Sequence, residues 1–221
     1  MTNTSVNKQR IFGLDIMRCV AIFAVLIGHT YWIVGLPVSL DKFYRFNFDG
    51  VSVFFTLSGF LIGNILFKKL SEENIGFQTL KSFWRARWWR TFPGYFFVLF
   101  LLIGKLAIAH RISFQQAFPY FFFLQNLHRA PTPIFGESWS LTVEEWFYLT
   151  TPILFFISAK FFDLKKVAPV VILIYFLAGW LFRLCTISTI NISTYNDYEA
   201  YIHEALPTRI DAVMFVFWDL I

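Results

Sequence analysis

The sequence predicts an all-α membrane protein, a polytopic helix bundle with about six spanning helices. Of its 221 residues, 57% are hydrophobic and only 15% are charged, whereas soluble domains are roughly 45–50% apolar and about 25% charged. The mean hydropathy is +0.58, and apolar runs long enough for a bilayer-spanning helix recur along the chain. This composition excludes a disordered chain, a nucleic-acid-binding module and a secreted disulfide scaffold.

The predicted spans follow from the position of the apolar runs. A spanning helix needs roughly 20 mostly apolar residues, and six runs approach that length: 11–34, 51–67, 92–109, 141–159, 167–184 and 206–221. Residues 114–127 are apolar but too short at about 1.5 Å per residue to cross a hydrocarbon core of about 30 Å. They are predicted to form a re-entrant or interfacial helix on the outer side. The first run is not a cleavable signal peptide, because it contains Asp15 and Arg18.

Basic residues set the predicted orientation. Lysine and arginine are concentrated between residues 68 and 90 and again between 160 and 166, and such segments stay in the cytoplasm. An even number of spans must separate the two segments, so residues 114–127 should not cross. The N-terminus is then cytoplasmic, and the acid-containing loop 186–205 lies outside. The location predicted is the bacterial inner (cytoplasmic) membrane.

The first span contains three ionisable residues, which are costly within a bilayer and indicate function. Arg18 and His29 are eleven residues apart, close to three helical turns, and so share one face about 16 Å apart along the axis. Asp15 lies one turn before Arg18 and could pair with it. The alternative is an Arg18 that extends to the interface and a His29 that is hydrogen-bonded inside the bundle.

A second group of polar residues begins the fourth span. Glu144 and Glu145 are adjacent, so at most one can face a given pocket, because neighbours on a helix point about 100° apart. Ser140 and Glu144 are four residues apart and share a face. The alternative is a helix N-terminus capped by Ser140 or Thr142. The predicted topology brings this start near the depth of His29, where a histidine and a glutamate could act as a base and its orienting partner.

Two further groups carry charge. Arg87 and Arg90 lie one turn apart among tryptophans and could bind phosphate, although positive-inside charge with an aromatic belt explains them as well. Arg209 and Asp211 open the last run and form either a local ion pair or part of an outer pocket. Ser58 is rejected as a hydrolase nucleophile because it lacks a Gly-x-Ser-x-Gly context.

Together these segments resemble the membrane-bound acyltransferase family 3, the O-acyltransferases. The matching motifs follow the family's order: Arg18 with His29, the segment 50–61, Arg87-Trp-Trp-Arg90, the segment 139–148, and Arg209-Ile-Asp211. Ser52 stands where many relatives have an aspartate, so no acidic role is transferred there. The family has about ten spanning helices, so we expect residues 1–221 to be a single acyltransferase domain truncated at its C-terminus.

The resemblance implies an enzyme that moves an acyl group, acetyl being favoured, from cytoplasmic acyl-CoA to a hydroxyl of a cell-envelope carbohydrate. It implies that His29 is the base or relay, with Arg18 nearby, Glu144 a functional acid, and Arg87 and Arg90 donor-side cations. Acyl-CoA is a co-substrate, and no bound cofactor, metal or nucleic acid is predicted. The alternatives are a transporter of an acylated or charged substrate and an inactive partial chain.

Overall fold

The computed structural model describes residues 12–34, 50–72, 77–127 and 134–214. Within these ranges every regular element is helical and no strand occurs, so the predicted all-α fold is confirmed there. The α-helices are α1 (Phe12–Val34), α2 (Gly50–Glu72), α3 (Phe77–Ile108), α4 (Phe114–Ala117), α5 (Trp139–Ser158), α6 (Leu164–Thr189), α7 (Tyr195–Tyr198) and α8 (Leu206–Arg209). Short 3-10 turns at Phe118–Phe122, Gly136–Ser138 and Ile210–Met214, and a π turn at Glu199–His203, connect them.

The chain divides into two compact units, residues 1–57 and 58–221. In the first unit, α1 and the beginning of α2 approach closely: a Cβ added to Gly50 would lie 2.7 Å from the Ala21 carbonyl oxygen. In the second unit, α5 lies against α3 and α6, and the turn Ile210–Met214 lies against α5 and α6. The second unit contains the residues around Glu144.

Two described helices are long and apolar enough to cross a membrane, Phe77–Ile108 and Lys166–Thr189, while the apolar helix Gly50–Leu66 is shorter. Their side chains are mostly not covered by protein, and on α6 Leu173, Leu177 and Leu181 are exposed. Lipid contact would remove that apolar surface from water. A membrane helix bundle is therefore plausible, and the full count of six spans stays a prediction.

Helix α3 is longer than the span that contains it. The sequence placed the span at 92–109, but the helix begins at Phe77 and continues through Pro93. Hydropathy locates apolar surface, whereas backbone hydrogen bonding continues through the basic segment because nothing there breaks the helix. Pro93 lacks an amide hydrogen and removes only one internal bond. Arg87 and Arg90 consequently lie on the same helix as the apolar residues that follow them.

Residues 114–127 do not form a spanning helix, as predicted, but the single re-entrant or interfacial helix predicted there is wrong, because the segment consists of short turns. Helix α4 is one turn long, a 3-10 turn follows, and Phe123 then takes a left-handed conformation with φ of 54°. Side chains from two long helices hold this backbone: the Tyr95 hydroxyl donates to the Tyr120 carbonyl at 2.8 Å, and Trp146 Nε1 donates to the Phe123 carbonyl at 2.8 Å. The location of this segment on the outer side of the membrane, either re-entrant or interfacial, stays a prediction.

The predicted last span, 206–221, does not begin as one continuous α-helix. Helix α8 covers only Leu206–Arg209 and gives way to the 3-10 turn Ile210–Met214. The rest of that run lies outside the described residues. The turn is largely buried, with Val213 fully covered and Asp211 3% exposed. Its packing against α5 and α6 therefore fixes its position.

Gly59 permits that turn to approach α2. A Cβ added to Gly59 would overlap the Val213 carbonyl oxygen, and forcing extra atoms into a packed site costs roughly 1–3 kcal/mol. We expect Gly59→Ala to lower the free energy of unfolding by that amount in thermal denaturation of the detergent-solubilised chain. Gly104→Ala is the matched control, because Gly104 is helical with open space around its Cβ position, and alanine is favoured there by about 1 kcal/mol. Equal effects of the two substitutions would contradict this contact.

Candidate active site

Glu144 is the centre of a polar cluster in the second unit. It lies in the second turn of α5, and its carboxylate accepts two hydroxyl hydrogen bonds. Ser58 Oγ of α2 donates to Oε1 at 3.0 Å, and the Tyr148 hydroxyl, one turn further along α5, donates to Oε2 at 3.1 Å. The two bonds fix the orientation of the carboxylate. We call Ser58, Arg87, Glu144 and Tyr148 the Glu144 cluster.

Arg87 of α3 contacts two other members of the Glu144 cluster. Its Nη2 lies 3.6 Å from Glu144 Oε2 and donates to the Tyr148 hydroxyl, while its guanidinium lies 3.7 Å from the centre of the Tyr148 ring. Trp84 Nε1 donates to the Tyr148 carbonyl at 3.0 Å and ties α3 to α5 beside this contact. Arg87 therefore has two protein partners, whereas Arg90, one turn further on, is exposed.

Such an arrangement favours proton transfer and charge stabilisation. A carboxyl group held by a cation and two hydroxyl donors has a fixed orientation, and an oriented carboxylate can accept a proton or align another group that does so. Arginine near developing negative charge can stabilise a transition state. The Glu144 cluster thus contains chemistry that acyl transfer requires.

The other predicted members of this segment, Glu145 and Ser140, form none of the hydrogen bonds within the Glu144 cluster. Glu145 points elsewhere, as the helical spacing predicted. It is 5% exposed and lies near Thr91 and Trp88 of α3. Ser140 Oγ makes only a long contact of 3.5 Å with the Glu137 carbonyl.

The predicted cap of this helix is wrong. The residue at the N-cap is Ser138, and no side chain caps the amides there. Thr142 Oγ1 instead donates to the Ser138 carbonyl at 3.2 Å. The helix is preceded by the turn Gly136–Ser138, so it starts two residues earlier than the apolar run that suggested its boundary.

Arg209 and Asp211 do not form a local ion pair. Asp211 Oδ1 lies 2.6 Å from Nη2 of Arg183, on α6, and Arg209 Nη2 lies 3.1 Å from His203 Nε2. Gly179 makes room for this pair, because a Cβ there would lie 2.8 Å from the Asp211 carboxyl carbon. Arg209 and Asp211 thus face different partners, and an outer pocket containing both stays untested.

Further ionisable groups surround His203, outside the predicted spans. His203 Nδ1 lies 2.9 Å from Glu199 Oε2. Burial raises the pKa of Glu204, and the negative charges of Glu199 and Glu137 raise it further. Asp197 has a lowered pKa because the Thr194 hydroxyl and amide donate to it. Across the described ranges, no group of three or more His, Cys, Asp or Glu side chains could hold a metal ion.

In the first unit, the predicted pairing of Asp15 with Arg18 is confirmed. Arg18 Nη1 donates to Asp15 Oδ1 at 3.0 Å. His29 lies on the same helix, α1, about 16 Å further along its axis. The catalytic roles of Arg18 and His29, and the partnership of His29 with Glu144, stay predictions.

Three residues that contact the carboxylates of Glu144 or Asp211 were not predicted as their partners. Tyr148 carried a local signal, because it lies four residues after Glu144. Arg183 carried a weaker one, as a charge inside an apolar run. Ser58 had none, since its partner lies 86 residues away.

Comparison with known proteins agrees with these motifs. The sequence profile of the Acyl_transf_3 family, described as an acyltransferase domain, matches residues 11–218. The peptidoglycan O-acetyltransferase OatA of Listeria monocytogenes is 28% identical over 173 residues, which cover 71% of this chain and 26% of OatA. A candidate O-acetyltransferase of Staphylococcus aureus is 28% identical over 68% of this chain and 26% of its own length. YrhL of Bacillus subtilis, a candidate peptidoglycan O-acetyltransferase, is 27% identical over 69% of this chain and 25% of its own length.

The chain therefore spans about a quarter of the length of the curated relatives that it matches. No solved structure matches it. The profile match begins at residue 11, just before α1, and covers Arg87, Glu144 and Asp211. On this evidence, the chain belongs to the Acyl_transf_3 acyltransferase family.

Proposed function

We propose that the chain is an integral-membrane O-acyltransferase that moves an acetyl group from acyl-CoA to a hydroxyl of a cell-wall carbohydrate. The observation that carries the proposal is the Glu144 cluster, in which hydroxyl donors and an arginine orient a carboxylate. Membership of the acyltransferase family and the named activities of the relatives support the same reaction. The relative OatA acts on peptidoglycan by its name, which makes peptidoglycan the acceptor to test first.

The reaction needs a base and charge stabilisation. The acceptor hydroxyl oxygen attacks the thioester carbonyl carbon, its proton passes to the base, and the carbon–sulfur bond breaks to release the CoA thiolate. In this proposal His29 takes the proton or relays the acyl group, and Arg18 supports it from the same helix face. Glu144 acts as a functional acid. Acyl-CoA approaches from the cytoplasmic side of the bacterial inner membrane.

We propose different roles for Arg87 and Arg90, which the sequence alone placed together as donor-side cations. Because Arg87 contacts both Glu144 and Tyr148, it is proposed to position the Glu144 carboxylate. Arg90 is exposed and remains the better donor-side cation, since guanidinium groups bind phosphate bidentately. The phosphates of CoA are the chemistry that it would recognise.

The test is an acyl-transfer assay with residues 1–221 in detergent. Radiolabelled acetyl-CoA is incubated with peptidoglycan fragments, and His29→Ala is expected to reduce labelled glycan by roughly 100-fold or more, the usual effect of losing a catalytic base. His110→Ala is the matched control, because His110 is exposed just beyond α3. Wild-type transfer by the His29 variant would overturn the role of His29. Flux of substrate without consumption of acetyl-CoA would favour a transporter.

A further inference from the structure

Two ridges of side chains run along one face of α3 and enclose an open groove. Residues four apart on a helix form such ridges, and the space between adjacent ridges is a groove. The first ridge is aromatic: Trp84 stacks on Trp88 with ring centres 6.2 Å apart, and Trp88 stacks on Phe92 at 5.6 Å. Phe96 extends this ridge. We call the space beside it the α3 groove.

The aromatic ridge is anchored on its inner side. Trp84 donates to the Tyr148 carbonyl at 3.0 Å, and Phe92 stacks on Phe123 with ring centres 5.4 Å apart. These contacts fix the positions of the Trp84 and Phe92 rings. The groove is thus a preformed feature of α3 and its neighbours.

The second ridge changes character along its length. It begins with two exposed cations, Lys81 and Arg85, and continues with Trp89 and Pro93. Trp89 is 75% exposed. The groove therefore has a cationic end followed by an apolar part, both on a helix that is long and apolar enough to cross a membrane.

We infer that the α3 groove binds an anionic phospholipid. Its phosphate would lie between Lys81 and Arg85, and one acyl chain would lie along Trp89 and Pro93. Charge complementarity favours a negative headgroup, and tryptophan is typical of the membrane–water interface. Arg85 and Phe96 are about 16 Å apart along the axis, so the groove runs from the basic segment into the apolar part of α3.

The aromatic ridge that borders the α3 groove also holds α3 against α5, because Trp84 donates a hydrogen bond to the Tyr148 carbonyl. The inference depends on the groove and its two cations and not on acyl transfer. Lipid binding can therefore be absent while acyl transfer occurs, and acyl transfer can be absent while the lipid binds.

The test measures retention of lipid by residues 1–221 in detergent, by native mass spectrometry. The probes are phosphatidylglycerol and phosphatidylcholine with identical acyl chains. The double variant Lys81→Gln/Arg85→Gln is expected to weaken phosphatidylglycerol binding by roughly 10-fold or more, as two interfacial cations would, and to leave phosphatidylcholine unchanged. The matched control is Lys105→Gln/Arg111→Gln, two exposed cations toward the other end of α3, with circular dichroism to compare helix content. Trp89→Ser should weaken both lipids, because it removes contact with the acyl chain.

Several results would overturn this inference. One is equal loss of phosphatidylglycerol in the two double variants, or in neither. Another is full competition by free glycerol phosphate, which would show that the cations bind a soluble phosphate without the acyl chain. A third is unchanged retention of both lipids by Trp89→Ser, which would show that no acyl chain lies along Trp89.

Discussion

Arg87→Ala is expected to lower the thermal unfolding temperature of the detergent-solubilised chain by roughly 6–12 °C. The substitution removes the cation from Glu144, whose side chain is 18% exposed, and from the Tyr148 ring. Removing one partner of a largely buried ion pair leaves an uncompensated charge and costs about 3 kcal/mol or more. For a chain of this size, each kcal/mol shifts the unfolding temperature by roughly 2–4 °C.

Arg90→Ala is the matched control for that experiment. Arg90 lies one turn from Arg87 but is exposed, and exposed substitutions usually change stability by about 0.5 kcal/mol or less. A double-mutant cycle with Glu144→Gln separates the pair from other effects, because the double variant should lose less than the sum of the single ones. Equal destabilisation by the two arginine variants would contradict the pairing of Arg87 with Glu144.

The same two variants divide the proposed roles in an acyl-transfer assay. If Arg87 positions the Glu144 carboxylate, Arg87→Ala lowers kcat, since the oriented carboxylate is needed in the transition state. If Arg90 binds the donor phosphates, Arg90→Ala raises the KM for acyl-CoA with little change in kcat. The reverse pattern would return Arg87 to the donor site that the sequence alone suggested.

Local spacing predicted part of what the structure contains. The helical fold follows from long apolar runs, and the pairing of Asp15 with Arg18 follows from a separation of one turn. The separation of Glu144 from Glu145 likewise follows from the rotation between helical neighbours. These features depend on one helix at a time, so the sequence is sufficient for them.

Partners that are distant in sequence could not be predicted in this way. Ser58 and Glu144 are 86 residues apart, and Arg183 and Asp211 are 28 apart. Which cation meets which carboxylate depends on how the helices pack, and a nearby Arg209 was an equally good candidate for Asp211. The start of α3 was missed for a related reason, because hydropathy marks apolar surface and not the ends of backbone hydrogen bonding.

The pair of Arg183 and Asp211 gives an asymmetric expectation. The Asp211 side chain is 4% exposed and that of Arg183 is 30% exposed, with 2.6 Å between Oδ1 and Nη2. Arg183→Met leaves the buried carboxylate without its cation, so it should cost about 3–5 kcal/mol of unfolding free energy. Asp211→Ala should cost less, because the long side chain of Arg183 can extend its charge toward polar surroundings.

Combining the two substitutions is expected to recover most of the loss. Replacing both members of a buried ion pair by apolar residues is often neutral or stabilising, because the charges no longer have to be desolvated. Thermal unfolding of the two single variants, the double variant and Arg209→Met in the same detergent measures this. Because Arg209 faces His203 rather than Asp211, Arg209→Met should not be rescued by Asp211→Ala. Rescue of Arg209→Met and not of Arg183→Met would show that the local pair holds Asp211 and that the 3-10 turn packs differently against α6.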